Sequence, residues 1–277
     1  MAIKMKSIFS NKNNKFIIGA LHFLPLPGFV GHPGLEKVLE VALADLKAFE
    51  VGGVDAVIIE NNYDQPHNIN VGEETVNAMS FLGREIKKKT KLPIGVSVLW
   101  NDYAAALSIA KEIGGTFVRV PVFVDSVITD FGEIIADPEK VIDCRDQLEA
   151  NSVMIMADVQ VKHATMINSK SVSNSVKLAN DHGADAIIIT GSKTGEPPKI
   201  GDLEIAKKAS KVPVIIGSGL DSSNASTLLK SADGAIVSTS LKEGSISQEE
   251  RNAKPYSLRI DVKKVKELMK VAKSLPN

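Results

Sequence analysis

The stretch VPVIIGSGLDSSNASTLLKSADGAIVSTSLK, residues Val212 to Lys242, sets two short apolar runs against two small polar exits, with a helical pattern between them. Val214 to Ile216 predicts a buried strand, and Gly217, Ser218 and Gly219 let the backbone turn with little side-chain bulk. Asp221 or Ser222 can cap the helix that follows. Gly234 to Val237 predicts the next strand, left by Ser238, Thr239 and Ser240. Backbone N–H groups at two such exits, with hydroxyls beside them, can hold a dianion without a cationic side chain. In a (β/α)8 barrel that place follows strands seven and eight, so the stretch predicts six βα units ahead of it.

The preceding sequence supplies them. Apolar runs recur every roughly 25 to 40 residues, each followed by a loop and a helix-period segment, which implies parallel strands. The predicted strands are Phe16 to Leu21, Ala56 to Glu60, Ile94 to Leu99, Thr116 to Val120, Val153 to Val159 and Ala186 to Thr190. A helix over Val262 to Leu275 closes the count, and Gly244 to Ser257 is its preceding polar loop. The expected fold is therefore α/β, a single (β/α)8 TIM barrel spanning residues 1–277 as one domain. A loop of about fifteen residues after Pro121 is long for a compact domain, which points to function or mobility.

Composition narrows the class. Thirty-three basic and thirty-three acidic residues cancel, so bulk charge gives no reason to expect a nucleic-acid partner. Cys144 is the one cysteine and cannot form an internal disulfide, which favours a reducing compartment. The first fifteen residues lack a signal-peptide core and no apolar run is long enough to span a membrane. These features predict a cytoplasmic location. No sequence feature defines an interface, and homo-oligomerisation stays open.

Barrel enzymes carry their chemistry at the C-terminal ends of strands, and polar side chains gather there on nearly every strand. His22 follows the first, Glu60 and Asn61 the second, and Asn101 and Asp102 the third; these are candidate substrate-binding residues, with His163, Thr190 and Thr194. The parity of an extended chain puts Met154, Met156, Asp158, Gln160 and Lys162 on one face and Ile155, Ala157 and Val159 on the other. Arg119 alternates with Val118 and Val120, so it should face the interior and need a carboxylate such as Asp158 or Glu60. Such a pair could be structural filling or part of a site. Asp158, Lys162 and Arg119 are the candidate catalytic residues; Gly217, Ser218, Gly219, Thr239 and Ser240 are the candidate phosphate seat. Trp100 suits packing better than stacking, and His32, His67 and His182 read as surface residues. No organic-cofactor motif is present. No HxH or HExxH spacing exists, so no metal ligand is assigned, although scattered Asp, Glu and His leave a divalent metal open.

Seven segments together resemble the BtpA family over about residues 15–245. They are IGALHFLPLPG (Ile18 to Gly28), GGVDAVIIENNYDQP (Gly52 to Pro66), VLWND (Val98 to Asp102), TFVRVPVF (Thr116 to Phe123), ADVQVKHA (Ala157 to Ala164), GADAIIITGSKTGEPP (Gly183 to Pro198) and the opening stretch. The resemblance implies a barrel of the phosphate-binding layout and transfers no settled reaction. The chain departs from the family pattern at Ser97, Trp100, Pro121 and Ser238, and the last narrows the approach to the expected phosphate turn. The expected activity is acid–base chemistry on a small phosphorylated metabolite, a sugar phosphate or a phosphoribosyl or nucleotide-like compound. Isomerase, epimerase and aldolase or lyase reactions all fit, and a Schiff base at Lys162 is compatible but unforced. The alternative, which the family name suggests, is a non-catalytic factor supporting accumulation of another protein, as in photosystem I biogenesis.

Overall fold

The computed structural model describes residues 15–244 and 257–275. Eight parallel strands close into a barrel in the order β1-β11-β10-β9-β7-β4-β3-β2. They are β1 (Phe16–His22), β2 (Ala56–Glu60), β3 (Ile94–Ser97), β4 (Phe117–Val120), β7 (Met154–Val159), β9 (Ala186–Ile189), β10 (Val214–Ile216) and β11 (Gly234–Val237). The intervening helices are α1 (Leu35–Gly52), α2 (Glu73–Lys87), α3 (Tyr103–Ile113), α4 (Pro138–Gln147), α5 (Val172–Asp181), α6 (Ile200–Ala209) and the single turn α7 (Ala225–Leu228); α8 (Val262–Ser274) follows β11. The fold is the expected (β/α)8 barrel. Most of the polar stretch expected as a loop after Gly244, residues 245–256, lies outside the described residues.

Alternation along each strand divides two apolar layers. Ile155, Ala157 and Val159 of β7 face the helices, while Met154 and Met156 join Ile18, Ile58, Phe117 and Ile188 inside the barrel. Glycines make room where large rings enter: a Cβ on Gly95 would lie 2.0 Å from the Phe117 ring, and one on Gly19 would lie 2.6 Å from that of Phe49. Moving two residues beyond the interior apolar layer, towards the strand ends, gives a polar layer. Ala20 leads to His22, Ile58 to Glu60, Phe117 to Arg119, Met156 to Asp158, Ile188 to Thr190 and Ile215 to Gly217.

Three expectations need correction. The long loop after β4 is not irregular, since β5 (Val127–Thr129) and β6 (Gly132–Ile134) form a hairpin within it. The loop after β7 contributes β8 (Ala164–Met166), and these strands form a separate antiparallel sheet in the order β6-β5-β8. Val122, Val127, Ile134 and Val161 bury a small second core there with Trp100, which packs as expected. β7 does not stay extended to Lys162: it ends at Val159, and Gln160 turns away at φ 51°. The helix between β10 and β11 is a single turn followed by a 3-10 turn, and its N-cap position is Asn224. Asp221 instead accepts hydrogen bonds from the Ser223 and Asn224 amides ahead of it.

Candidate functional site

A cavity of about 470 Å³ opens at the C-terminal end of the barrel. Its wall carries the exits of β10 and β11, the polar ends of β1, β2 and β4, and the turn after β7. The hairpin tip Asp130-Phe131 lines the rim, which gives the small sheet a place in the site.

The base of the cavity is one connected charge network. Arg119 donates from Nε and Nη2 to the two carboxylate oxygens of Asp158, both at 2.8 Å. Its Nη1 lies 3.6 Å from Glu60 Oε1, and Glu60 Oε2 lies 3.3 Å from His22 Nε2. Gly217 beside it leaves room for two neighbours, because a Cβ there would lie 2.5 Å from Ile188 Cγ2 and 2.8 Å from Thr190 Cγ2. Burial works against the Arg119 charge, but Asp158 and then Glu60 hold the guanidinium more firmly protonated than usual. Burial also pushes the Glu60 carboxyl upward; His22, Arg119 and Lys162 outweigh it and keep the group below its ordinary range. Glu60 is therefore an anion near neutral pH, yet its Oε1 is buried with no hydrogen-bond partner among the described residues. The Ser97 hydroxyl, whose residue is register-paired with Glu60 on β3, is buried and unpartnered in the same way. Glu60 lines the cavity, so its unsatisfied oxygen marks a place where a ligand group would be satisfied.

Lys162 reaches this cavity from the turn after β7, with its amide donating to Thr190 Oγ1 at 3.1 Å. Among the described residues no hydrogen bond or ion pair engages its ammonium. Burial, then the neighbouring Arg119 charge, pushes it down to about 8 against the pull of Glu60 and Asp158. His163, next in sequence, accepts the Thr194 amide at Nε2 (3.1 Å) and contacts Thr194 Oγ1 at 2.8 Å, pinning the loop after β9.

The exits of β10 and β11 meet the same cavity. Ser218 Oγ accepts from the Gly191 amide and donates to Glu196 O, and Ser240 Oγ donates to Leu220 O at 2.6 Å. These hydroxyls thus tie the turns to each other and to the β9 loop. Gly219, at φ 68°, approaches that loop so closely that a Cβ would lie 2.2 Å from Pro197 N. The amides of Ser218, Gly219, Thr239 and Ser240 have no protein acceptor among the described residues.

Of the sequence-selected residues, the structure brings Arg119, Lys162, His22, Glu60, His163, Thr194, Gly217, Ser218, Gly219, Thr239 and Ser240 to the cavity wall. Asp158 lies directly behind Arg119 and is 1% exposed. The others are occupied in loop structure. Asn61 holds Leu99 through its amide and carbonyl, and Asn101 does the same to Val122. Asp102 caps α3 at Ala105 and holds the Val71 amide, while Thr190 is engaged by Lys162. His67 is a correction in the other direction: it is buried against Phe131, with ring centroids 5.3 Å apart, and lines the cavity. Tyr63 and Lys242 were also passed over. Lys242 Nζ donates to the Tyr63 hydroxyl at 2.8 Å, and Tyr63 packs edge-on to His22. A lysine two residues past the Ser238 to Ser240 exit was the available signal.

The model of the BtpA family matches residues 13–274. A protein of Archaeoglobus fulgidus is 41% identical, covering 86% of this chain and 95% of its own. One from Pyrococcus horikoshii is 37% identical, with coverage of 95% and 98%. The Photosystem I biogenesis protein BtpA of Synechocystis is 38% identical, with coverage of 84% and 82%. Among solved structures, tryptophan synthase of Mycobacterium tuberculosis superposes with a TM-score of 0.62 at 14% identity, covering 97% of this chain and 98% of that one. (S)-3-O-geranylgeranylglyceryl phosphate synthase of Thermoplasma acidophilum, in complex with its substrate sn-glycerol-1-phosphate, gives 0.61 at 15% identity, with coverage of 99% and 100%. At these identities the structural likeness is one of fold.

Proposed function

The chain belongs to the BtpA family, and from that premise we propose that it is an enzyme acting by acid–base chemistry on a small phosphorylated metabolite. One observation carries the reading. Residues Ser218, Gly219, Thr239 and Ser240, whose amides have no acceptor among the described residues, share a cavity with Lys162, whose ammonium has no partner among them, and with Glu60, whose Oε1 accepts no hydrogen bond from them. Amides from two adjoining turns would suit the oxygens of a phosphate, whose charge needs no side-chain partner there. Lys162 and Arg119 would stabilise negative charge developing on the remainder of the substrate, with Glu60 and His22 moving protons or reading hydroxyls. Asp158 acts through Arg119, whose guanidinium it fixes. That a barrel of this fold from Thermoplasma acidophilum holds a glycerol phosphate as substrate supports the substrate class.

A thermal-shift series tests the reading, comparing phosphorylated sugars, phosphoribosyl compounds and nucleotides with their dephosphorylated forms. A ligand at a hundredfold its Kd stabilises by about 2.7 kcal/mol, a readily measured shift. Stabilisation that needs the phosphate and disappears in a Gly219→Val variant that still folds is the expected result; equal effects with and without phosphate would sink it. The name of the Synechocystis relative supports a second reading, a factor that assists another protein. That reading is favoured if no small phosphorylated compound stabilises the chain and a defined protein partner does.

A further inference from the structure

We infer that Lys162 is an imine-forming lysine and that the metabolite bound in this cavity carries an aldehyde or ketone as well as a phosphate. The inference rests on the phosphate-metabolite reading above and narrows it to carbonyl compounds.

The placement of the amine is the main ground. Other lysines here pair with a carboxylate, as Lys207 does with Asp233 and Lys170 with Asp125. Lys162 lines a cavity, is half-buried, and has no such partner among the described residues. Arg119, on the same cavity wall, is fixed by two hydrogen bonds to Asp158, so its charge stays near the ammonium and opposes it. Desolvation and an adjacent fixed cation are the two conditions that leave a lysine amine free to attack carbon. The amine on the β7 exit lies two barrel positions from the β10 turn and three from the β11 turn. A compound seated by its phosphate there can present a carbonyl to it across the mouth.

The step balances without an added reagent. Lys162 gives up one ammonium proton, its lone pair attacks the carbonyl carbon, and the carbonyl oxygen gathers protons as a carbinolamine forms. Loss of that oxygen as water leaves a protonated imine, so R–NH3+ and O=CR2 become R–NH+=CR2 and H2O. The positive charge is conserved. Glu60, on the same cavity wall and with no hydrogen-bond partner for Oε1 among the described residues, would carry the proton, with His22 beside Oε2. The imine then serves as an electron sink for removal of an adjacent proton or cleavage of an adjacent carbon–carbon bond.

The test is hydride trapping followed by peptide mass spectrometry. The full chain is incubated with dihydroxyacetone phosphate, glyceraldehyde 3-phosphate or glycolaldehyde phosphate, with dihydroxyacetone as the unphosphorylated control, and reduced with borohydride. The expected result is an adduct on the Lys162 peptide, heavier by the mass of the carbonyl compound less one oxygen. It should appear with a phosphorylated compound, fall when inorganic phosphate competes, and vanish in Lys162→Met. A Lys162→Arg variant, which keeps the charge and lacks the nucleophile, should bind phosphate and form no adduct. Phosphate-dependent thermal stabilisation by these compounds with no adduct overturns the imine and leaves the phosphate reading standing. Absence of both removes both. Labelling spread equally over surface lysines, or unchanged in Lys162→Met, also overturns the inference.

Discussion

Arg119 keeps a charge inside a barrel because Asp158 meets it with two hydrogen bonds and Glu60 with a second carboxylate. Removing Asp158 leaves the buried guanidinium without hydrogen bonds to its main partner and with Glu60 alone at 3.6 Å, so Asp158→Ala should lower stability by about 3–5 kcal/mol in urea denaturation. The double variant Arg119→Met, Asp158→Leu should recover part of that loss, because Glu60 then keeps a buried carboxylate without its guanidinium. Lys162 behaves oppositely. Its pKa falls from 10.5 in the unfolded chain to about 8, so the unfolded state holds more protons between these values. Stability should therefore rise with pH across about 8 to 10.5, and Lys162→Met should lack that slope. Strand parity made the Arg119–Asp158 pair legible in the sequence, because both residues lie inside regular strands. The turn at Gln160 breaks the same rule before Lys162, and the burial of His67 depends on Phe131, which no local pattern connects to it.

The loop after β9 is held at three places. Ser218 Oγ joins its Gly191 amide and Glu196 carbonyl, Gly219 packs against its Glu196-Pro197 backbone, and His163 Nε2 accepts the Thr194 amide. That hydrogen bond requires a neutral nitrogen. Burial, followed by the charge of Lys162, lowers the His163 pKa from 6.5, so the clamp holds at neutral pH and is released on acidification below that value. Hydrogen exchange in residues 191–198 should quicken as pH falls, after correction for the intrinsic rate, whereas His163→Ala should show the faster rate at every pH. Unchanged protection in the variant would assign the loop's order to Ser218 and Gly219 instead. The βα repeat was readable because each strand is a contiguous apolar run. The β6-β5-β8 sheet was not, since its strands are three residues each and β8 comes from a different loop.

Closure of the barrel connects its far side to the site. β1 pairs with β11, so the first and last strands meet, and α8 packs beside α1 behind them. Asp45 of α1 accepts from the Ile260 amide at 3.0 Å and from Arg259 Nη1 at 2.7 Å, anchoring the start of α8. The Asp261 amide donates to Leu241 O, and Lys264 Nζ donates to Lys242 O, so α8 also grips the turn carrying Thr239 and Ser240. At the other contact Gly52 admits Val265: a Cβ would lie 2.1 Å from Val265 Cγ1. The last turn of α1 therefore needs glycine for packing, whereas Gly53 beside it needs it for φ 89°. Gly52→Ala should force α8 outward and cost about 1–3 kcal/mol by overpacking. Val265→Ala alone also destabilises by leaving a cavity, but the double variant should be more stable than the sum of the two losses predicts. Because α8 holds the β11 exit, Gly52→Ala should also weaken phosphate affinity from the opposite end of the fold, and Val265→Ala in that background should restore it. Calorimetric titration of the four proteins with inorganic phosphate separates the cases: recovery of stability without recovery of affinity would mean that the turn keeps its geometry independently of α8.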